Sequence, residues 1–176
     1  MSRKSRKICV VVASRANYAR VKFLMKAIQE SPKLELQMIV SASALLYKYG
    51  HVIDVIRQDG FEPNLKIHYL VEGENLITQA KSTGMGIIEL STAFDSLRPD
   101  VVITVADRFE TMATAIAASY LNIPLAHVQG GELSGNIDDS VRHAITKLAH
   151  LHYPSTQKSA ERILKMGEES WRIKFV

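Results

Sequence analysis

Short apolar segments alternate with segments of helical spacing along nearly the whole of this 176-residue chain, and this alternation limits the possible folds most. Residues 7–13 (KICVVVA) form a continuous, largely β-branched run, and residues 18–29 then place apolar side chains three and four positions apart. The same pair of patterns recurs at residues 100–106 and 108–120. A strand followed by an amphipathic helix is the simplest interpretation of each pair. Repeated units of this kind predict an α/β fold, a Rossmann-like parallel sheet with helices on both faces.

The remaining segments continue the same order of strands and helices. We predict further strands at residues 34–40, 67–71, 123–128, 151–153 and 172–176. We predict further helices at residues 46–58, 76–97, 138–149 and 157–166, the last closed by Gly167. Gly84 and Gly86 are expected to interrupt the long helix in which they fall.

No linker, low-complexity tract or internal sequence repeat divides the chain. We therefore predict one domain at residues 7–176, preceded by a basic, flexible leader at residues 1–6. The sequence ends within an apolar run at Val176 without a capping helix, and we expect a truncated protein.

The charge and cysteine content narrow the possible partners. The formal charge of +4 comes from Arg3, Lys4, Arg6 and Lys7, and the rest of the chain carries 18 basic and 18 acidic residues. A neutral body without a basic helix argues against nucleic-acid binding. Cys9 is the only cysteine, which excludes a disulfide within the chain and fits a cytoplasmic protein. No apolar run approaches the roughly 20 residues of a membrane-spanning helix, so we expect no membrane insertion.

Three polar loops follow predicted strands, at residues 14–18, 107–110 and 129–135. Parallel strands end at one edge of a sheet and ligands bind beyond their carboxyl ends, so we expect all three loops to open on one site. The first loop lacks the G-x-G-x-x-G and G-K-[ST] patterns of phosphate-binding loops. Its Arg15 either binds a diphosphate at a helix N-terminus or is a surface residue, with Asn17 as the helix cap.

The other two loops contain an aspartate and a glycine pair. Asp107 either acts as a base, kept ionised by the neighbouring Arg108, or caps the following helix. Gly130 and Gly131 either bring the backbone close to a ligand or form a tight loop without one.

The helix predicted at residues 138–149 begins with an acidic pair. One of Asp138 and Asp139 is expected to cap the helix, which leaves the other available for chemistry. His143, His150 and His152 could suggest a metal site, but they fall on two different elements, and we predict that no metal is bound.

Four segments together resemble the hydrolysing UDP-N-acetylglucosamine 2-epimerases of sialic-acid biosynthesis: SRANY, ADRFE, HVQGGELSG and IDDSVRHAITKLAHLH. The resemblance extends over residues 7–176, and the last segment is the most specific. It implies the N-terminal lobe of a two-lobe enzyme of the GT-B architecture. It also implies elimination of UDP through a 2-acetamidoglucal intermediate, followed by hydration to N-acetylmannosamine. Neither a metal nor a nicotinamide cofactor is implied.

The resemblance also implies roles for individual residues. Arg15 corresponds to a phosphate-contacting arginine, and Arg108 to a residue that lines the nucleotide-sugar site. Asp107 and Asp138 fall on positions with acid–base roles. Gly130, Gly131 and His143 complete the predicted substrate-binding set.

Two departures from the family pattern leave alternatives open. Gln129 stands where many relatives carry a catalytic glutamate, and an amide cannot usefully accept a proton. Either Glu132 or Asp139 replaces that carboxylate, or the substrate is a modified nucleotide sugar such as a diacetamido-trideoxy sugar, or catalysis is slow. The second departure is length, because a C-terminal lobe completes the nucleotide pocket in the family, and we expect this segment alone to be nearly inactive.

Two further functions compete with a hydrolysing epimerase. One is a non-hydrolysing epimerase that returns UDP-N-acetylmannosamine, and the other is a non-catalytic module for nucleotide-sugar binding or oligomerisation. The apolar residues of the helix predicted at 76–97 serve either the core or a subunit interface, and we expect a homo-oligomer. These residues are Ile77, Ile87, Ile88, Leu90, Phe94 and Leu97.

Overall fold

The computed structural model of the chain describes residues 5–176. The strands are β1 (Arg6–Val12), β2 (Leu34–Ser41), β3 (Leu65–Ile67), β4 (Val101–Val105), β5 (Leu125–Val128) and β6 (Leu151–Tyr153). The helices are α1 (Arg15–Glu30), α2 (Val52–Gln58), α3 (Leu76–Leu97), α4 (Phe109–Tyr120), α5 (Ile137–Leu148) and α6 (Gln157–Lys165). Short 3₁₀ turns occupy Ala42–Leu45, Tyr47–Tyr49 and Ser170–Arg172.

All six strands are parallel and lie in the order β3-β2-β1-β4-β5-β6. Alternate residues of β1 point to opposite faces of the sheet, as a strand requires. Val10 and Val12 join the core that α1 and α2 cover, whereas Cys9 and Val11 join the core covered by α3, α4 and α5. The predicted Rossmann-like fold with helices on both faces is therefore confirmed.

The long helix α3 is continuous, so the predicted interruption at its two glycines is wrong. Gly86 is buried, and a Cβ atom there would lie 2.9 Å from Ala113 Cβ and 3.0 Å from the ring of Tyr69. The missing side chain lets α3 pack closely against α4. Gly86 thus serves the contact between two helices and does not end one.

Three predicted elements differ from the structure. Residues 46–51 were assigned to a helix, but α2 begins only at Val52, because His51 adopts the left-handed conformation with φ of 40°. The third strand lies at residues 65–67 and not at 67–71, since the chain then turns so that the Val71 N–H donates to Ser82 Oγ. The strand predicted at 172–176 reduces to one bridge between Ile173 and His152.

The first strand begins near the start of the described residues. β1 begins at Arg6, one residue inside the predicted basic leader, while Arg3 and Lys4 of that leader lie outside the described residues. Within residues 5–176, no helix has the length and apolarity needed to cross a bilayer.

Candidate functional site

The loops after β1, β4 and β5 meet at the carboxyl edge of the sheet, because these three strands are parallel neighbours. The strand order reverses its direction between β1 and β4, and ligands in open α/β sheets bind at this type of crevice. The three loops singled out from the sequence therefore border one site.

Arg15 is the first residue of α1 and is exposed at the end of β1. The helix cap is Ser14, whose Oγ accepts from the Asn17 N–H at 3.2 Å, so the assignment of the cap to Asn17 is wrong. Asn17 is instead buried, and its side chain bonds Ala13 N and Val105 O, which ties the ends of β1 and β4 together. Arg15 has no ion-pair partner among residues 5–176, and a free cation at a helix N-terminus suits an anion.

Asp107 forms an ion pair with Arg142 of α5, and both side chains are largely buried. The same guanidinium donates to Asp139 Oδ1 at 3.0 Å and to the Glu132 carbonyl at 2.6 Å. Burial lowers the pKa of Arg142, with a smaller contribution from two other arginines. Arg142 thus joins the end of β4 to α5 and to the loop after β5.

The predicted partner of Asp107, Arg108, binds elsewhere. Its Nε lies 3.1 Å from Oε2 of Glu110, a carboxylate with 0% exposure, so Arg108 does not pair with Asp107. Burial is the main cause that raises the pKa of Glu110, and the charge of Arg108 opposes that rise. The other Glu110 oxygen has no partner among the described residues. With only Nε engaged and half of the side chain exposed, Arg108 keeps its two terminal amino groups for a ligand.

The acidic pair at the start of α5 does not cap the helix. The cap is Asn136, whose Oδ1 accepts from the Asp138 N–H at 2.8 Å, which corrects the assignment to Asp138 or Asp139. Asp139 accepts from the N–H groups of Ser134 and Gly135 at 2.7 and 2.8 Å, and these bonds lower its pKa. The half-buried carboxylate of Asp138 accepts no hydrogen bond from residues 5–176. Asp138 is therefore the carboxylate available for chemistry.

The chain leaves β4 and β5 through residues with unusual backbone angles. Ala106 has φ of 65° and Gln129 has φ of 62°, in the left-handed region. Each such residue costs of order 1 kcal/mol or more and tends to occur at functional sites. Gln129 Oε1 is buried without a partner among residues 5–176. The two strained residues flank the position of Asp107, at the ends of neighbouring strands.

His127 supports this strained turn, although no motif in the sequence singles it out. Its ring is fully buried in β5, with Nε2 2.8 Å from the Ala106 carbonyl and Nδ1 3.4 Å from Thr146 Oγ1. Burial lowers its pKa to about 4, so the ring is neutral at pH 7. Because a carbonyl only accepts, Nε2 carries the proton. The signal was a histidine inside an apolar strand, LAHV.

Packing explains the two loop glycines without a ligand. A Cβ atom on Gly130 would lie 2.9 Å from His127 Nδ1, and one on Gly131 would lie 2.4 Å from the Ser159 carbonyl oxygen. The loop after β5 therefore rests directly on β5 and α6. Glu132 accepts from Ser155 Oγ, so its carboxylate is partly engaged.

The three histidines considered as metal ligands do not meet, and His150 lies between α5 and β6. His143 is half-buried in α5, one turn after Asp139, and its Nδ1 has no partner in the described part of the chain. His150 Nδ1 accepts from the Leu125 N–H at the amino end of β5. His152 is buried in β6, 3.3 Å from a Glu168 carboxylate oxygen. Of the three, only His143 lies near the acidic pair at the start of α5.

The sequence of the chain matches a known protein family. Residues 26–176 match the protein family described as UDP-N-acetylglucosamine 2-epimerase. The chain belongs to the UDP-N-acetylglucosamine 2-epimerase family.

Several epimerases are similar to this chain in sequence. A UDP-N,N'-diacetylbacillosamine 2-epimerase (hydrolyzing) of Legionella pneumophila is 37% identical over 168 residues, which cover 96% of this chain and 45% of the relative. A UDP-N-acetylglucosamine 2-epimerase of Neisseria meningitidis is 29% identical over 171 residues, with 97% and 45% covered. The chain thus spans less than half the length of these relatives.

Solved epimerase structures share the fold. The crystal structure of UDP-GlcNAc 2-epimerase from Neisseria meningitidis bound to UDP-GlcNAc superposes with a TM-score of 0.85 at 17% identity. The match covers 96% of this chain and 45% of that one. At this identity the likeness establishes the fold, which is that of an N-terminal lobe in a two-lobe epimerase.

Proposed function

We propose that the chain is the N-terminal lobe of a hydrolysing 2-epimerase, which eliminates UDP from a UDP-linked 2-acetamido sugar and hydrates the resulting glucal. The observation that carries this proposal is the arrangement around Arg142. This guanidinium holds Asp107 and Asp139 in place, while Asp138 remains a free, half-buried carboxylate four residues before it. One fixed and one free carboxylate suit a reaction that needs two separate proton transfers.

In the first step, Asp138 removes the proton from C2 of the sugar. The electrons of the C2–H bond form the C1=C2 double bond, and the C1–O bond breaks with its electron pair leaving on UDP. Arg15, at the N-terminus of α1, stabilises the charge on the departing diphosphate, and the free amino groups of Arg108 bind the sugar.

In the second step, water adds to the glucal. The water oxygen bonds to C1, and the electrons of the C1=C2 double bond take up a proton at C2 from solvent water on the face opposite to the one deprotonated. Asp138 returns the proton that it removed to solvent. Asp107, fixed by Arg142 at the end of β4, is the group that orients the water and takes its proton. The products are UDP and the free 2-epimeric sugar.

The sequence points first to UDP-N-acetylglucosamine, but the relatives favour a diacetamido-trideoxy sugar. Two relatives at 37% identity, from Legionella pneumophila and Campylobacter jejuni, are named for N,N'-diacetylbacillosamine nucleotides. Gln129 fits a site adapted to a different sugar, because it places a neutral amide directly after β5, where many relatives carry a carboxylate. We therefore propose UDP-N,N'-diacetylbacillosamine as the preferred substrate.

The test uses a two-lobe form of the protein, in which a C-terminal epimerase lobe follows residue 176. This form is incubated with UDP-N-acetylglucosamine and with UDP-N,N'-diacetylbacillosamine, and the products are separated by chromatography. Release of both UDP and a free 2-epimeric sugar supports the proposal. A product that keeps its UDP supports a non-hydrolysing epimerase, and UDP binding without turnover of either nucleotide supports a binding module.

A further inference from the structure

A cavity of 460 Å³ lies beside the proposed reaction site, at the start of α4. Its walls come from the turn Tyr47–Tyr49 after β2, the segment 70–74 after β3, the first turns of α3, and the pair Arg108 and Phe109. Neither of the two proposed catalytic steps takes place in this space. Its volume falls within the range of small-molecule pockets.

The outer rim of the cavity is closed by an interaction between charged groups. Glu74 Oε1 accepts from Lys48 Nζ at 2.8 Å and from Tyr49 Oη at 2.5 Å. The lining also contains Glu72 and Arg108, so its two cations and two anions leave it without a formal net charge. A group without net charge therefore suits the cavity.

The rest of the lining is mainly apolar, with one amide, that of the exposed Gln79. Leu46, Leu70 and Val71 face the cavity, and the Ser82 hydroxyl is already engaged with Thr78 O and Val71 N. The side-chain amide of Gln79 has no hydrogen-bond partner among residues 5–176. One amide among apolar side chains matches the chemistry of an acetamido group, which has a methyl group, a donor and an acceptor.

The position of the cavity indicates which end of the sugar would enter it. Asp107 and Arg108 are consecutive, with Cα atoms about 3.8 Å apart, so one hexose can contact both the carboxylates and the cavity. Arg15 begins α1 on one face of the sheet, whereas α3 and α4, which border the cavity, cover the other face. In a pyranose ring, C4 lies opposite C1. A sugar with its diphosphate toward Arg15 thus presents C4 to the cavity.

We propose that this cavity receives the 4-acetamido group and the neighbouring C6 methyl group of a diacetamido-trideoxy hexose, with the Gln79 amide as hydrogen-bond partner. The inference rests on the proposed function, because it assumes a nucleotide sugar at the carboxylates. N-acetylglucosamine carries hydroxyl groups at C4 and C6 instead. Residues after β2 and β3 and at the start of α3 would therefore distinguish the two sugars.

The test is saturation-transfer NMR of residues 1–176 with UDP-N,N'-diacetylbacillosamine. The measured quantity is the saturation of the 4-acetamido methyl group divided by that of the 2-acetamido methyl group. Two variants change the cavity: Gln79→Met removes the amide at similar size, and Val71→Phe fills the space. Gln157→Met on α6 and Val55→Phe on α2 make the same substitutions away from the cavity.

The saturation ratio is expected to fall in both cavity variants and to keep its wild-type value in both controls. In the two-lobe form, Gln79→Met should lower kcat/KM about fivefold for the diacetamido sugar and leave it unchanged for UDP-N-acetylglucosamine, as loss of one hydrogen bond predicts. Gln79 is exposed on α3, so this variant remains informative if Val71→Phe disturbs the fold.

Failure of this inference differs from failure of the proposed function. A ratio that is unchanged in both cavity variants, or no saturation of either methyl group, overturns the assignment of the cavity. If the two-lobe form converts neither nucleotide sugar, the epimerase proposal fails, and the NMR ratio still decides what the cavity binds.

Discussion

Arg142 connects the parts of the candidate site, because one buried guanidinium reaches the end of β4, the loop after β5 and the first turn of α5. The carboxylates it holds are fixed, and the adjacent Asp138 is free. At the scale of single residues, we assign the carboxylates separate roles because some are held by Arg142 and Asp138 is not.

We expect Asp138→Asn to lower kcat of the two-lobe form by about 10²- to 10⁴-fold, the usual contribution of a positioned acid or base. KM should change little, because the amide keeps the size of the side chain. The measurement is steady-state release of UDP. Asp95→Asn, an exposed aspartate near the end of α3, is the matched control and should retain wild-type kcat. A loss in the control equal to that in Asp138→Asn contradicts the assignment.

His127 makes stability depend on pH. Its pKa is about 4 in the folded protein, against an ordinary value of 6.5, so the unfolded chain takes up a proton first as the pH falls. The contribution of the neutral His127 ring to the stability of the fold is complete above pH 6.5 and is lost between pH 6.5 and about 4. The two pKa values differ by about 2.5, which corresponds to about 3 kcal/mol.

Urea denaturation at several pH values measures this effect. The free energy of unfolding of His127→Asn should fall less steeply from pH 6.5 to 4 than that of the wild type. His152, whose pKa burial also lowers, is present in both proteins and cancels in the comparison. Parallel curves for the two proteins show that His127 does not titrate in this way.

At the scale of elements, neighbouring helices and strands determine which residues the loop after β5 and the helix α3 can carry. The loop lies against α6, which leaves no space for a side chain at Gly131. In α3, Leu90 and Phe94 are fully buried and belong to the core, whereas Ile77 and Ile88 are 68% and 67% exposed. The apolar residues of α3 therefore divide between the core and an outer face.

Gly131→Ala is expected to destabilise the fold by about 2 kcal/mol or more, from a clash with α6 added to a left-handed φ of 78°. Gly135→Ala is the control, because Gly135 has φ of 82° but no atom within 4 Å of an added Cβ. It should lose only the conformational part, about 1 kcal/mol. Urea denaturation compares the two variants, and equal losses contradict the packing explanation.

We propose that the outer face of α3 contacts a second copy of the chain. Ile77 and Ile88 are eleven residues apart, which is close to three turns, so they lie on the same side of the helix. A double Ile77→Lys, Ile88→Lys variant should lower the mass measured by light scattering to that of a monomer. Phe23→Lys on α1, which is 79% exposed, is the control and should keep the oligomer. A wild-type protein that is monomeric at high concentration refutes the proposal.

At the scale of the whole molecule, the candidate site is open on one side. It lies in the crevice between β1 and β4, and two groups without partners within the described residues, Arg15 and Asp138, lie at this edge. A site built at one edge of a sheet needs a cover to exclude water and hold the nucleotide.

We expect the two-lobe form to turn over its substrate at least about a hundredfold faster than residues 1–176 alone, because positioning of the nucleotide contributes at least that much. Release of UDP, followed by chromatography at equal protein concentrations, measures the difference. Comparable turnover by the two forms contradicts the requirement for a second lobe.

The fold could be predicted from local patterns. The runs of β-branched residues and the helical spacing after them identify every strand of the sheet except the position of β3, since periodicity reflects which faces are buried. The resemblance singled out Arg15, Asp107 and Asp138 by position, and the structure places all three at the carboxyl edge.

Only the tertiary structure decided which side chains meet. Asp107 binds Arg142, 35 positions away, and not its neighbour Arg108, because the order of β4 and β5 in the sheet brings α5 over the end of β4. Likewise, Gly86 and Gly131 are required by helices that pack against them from distant parts of the chain. Spacing along the sequence determines the elements, but contacts between distant elements depend on how the sheet orders them, and no local pattern records that order.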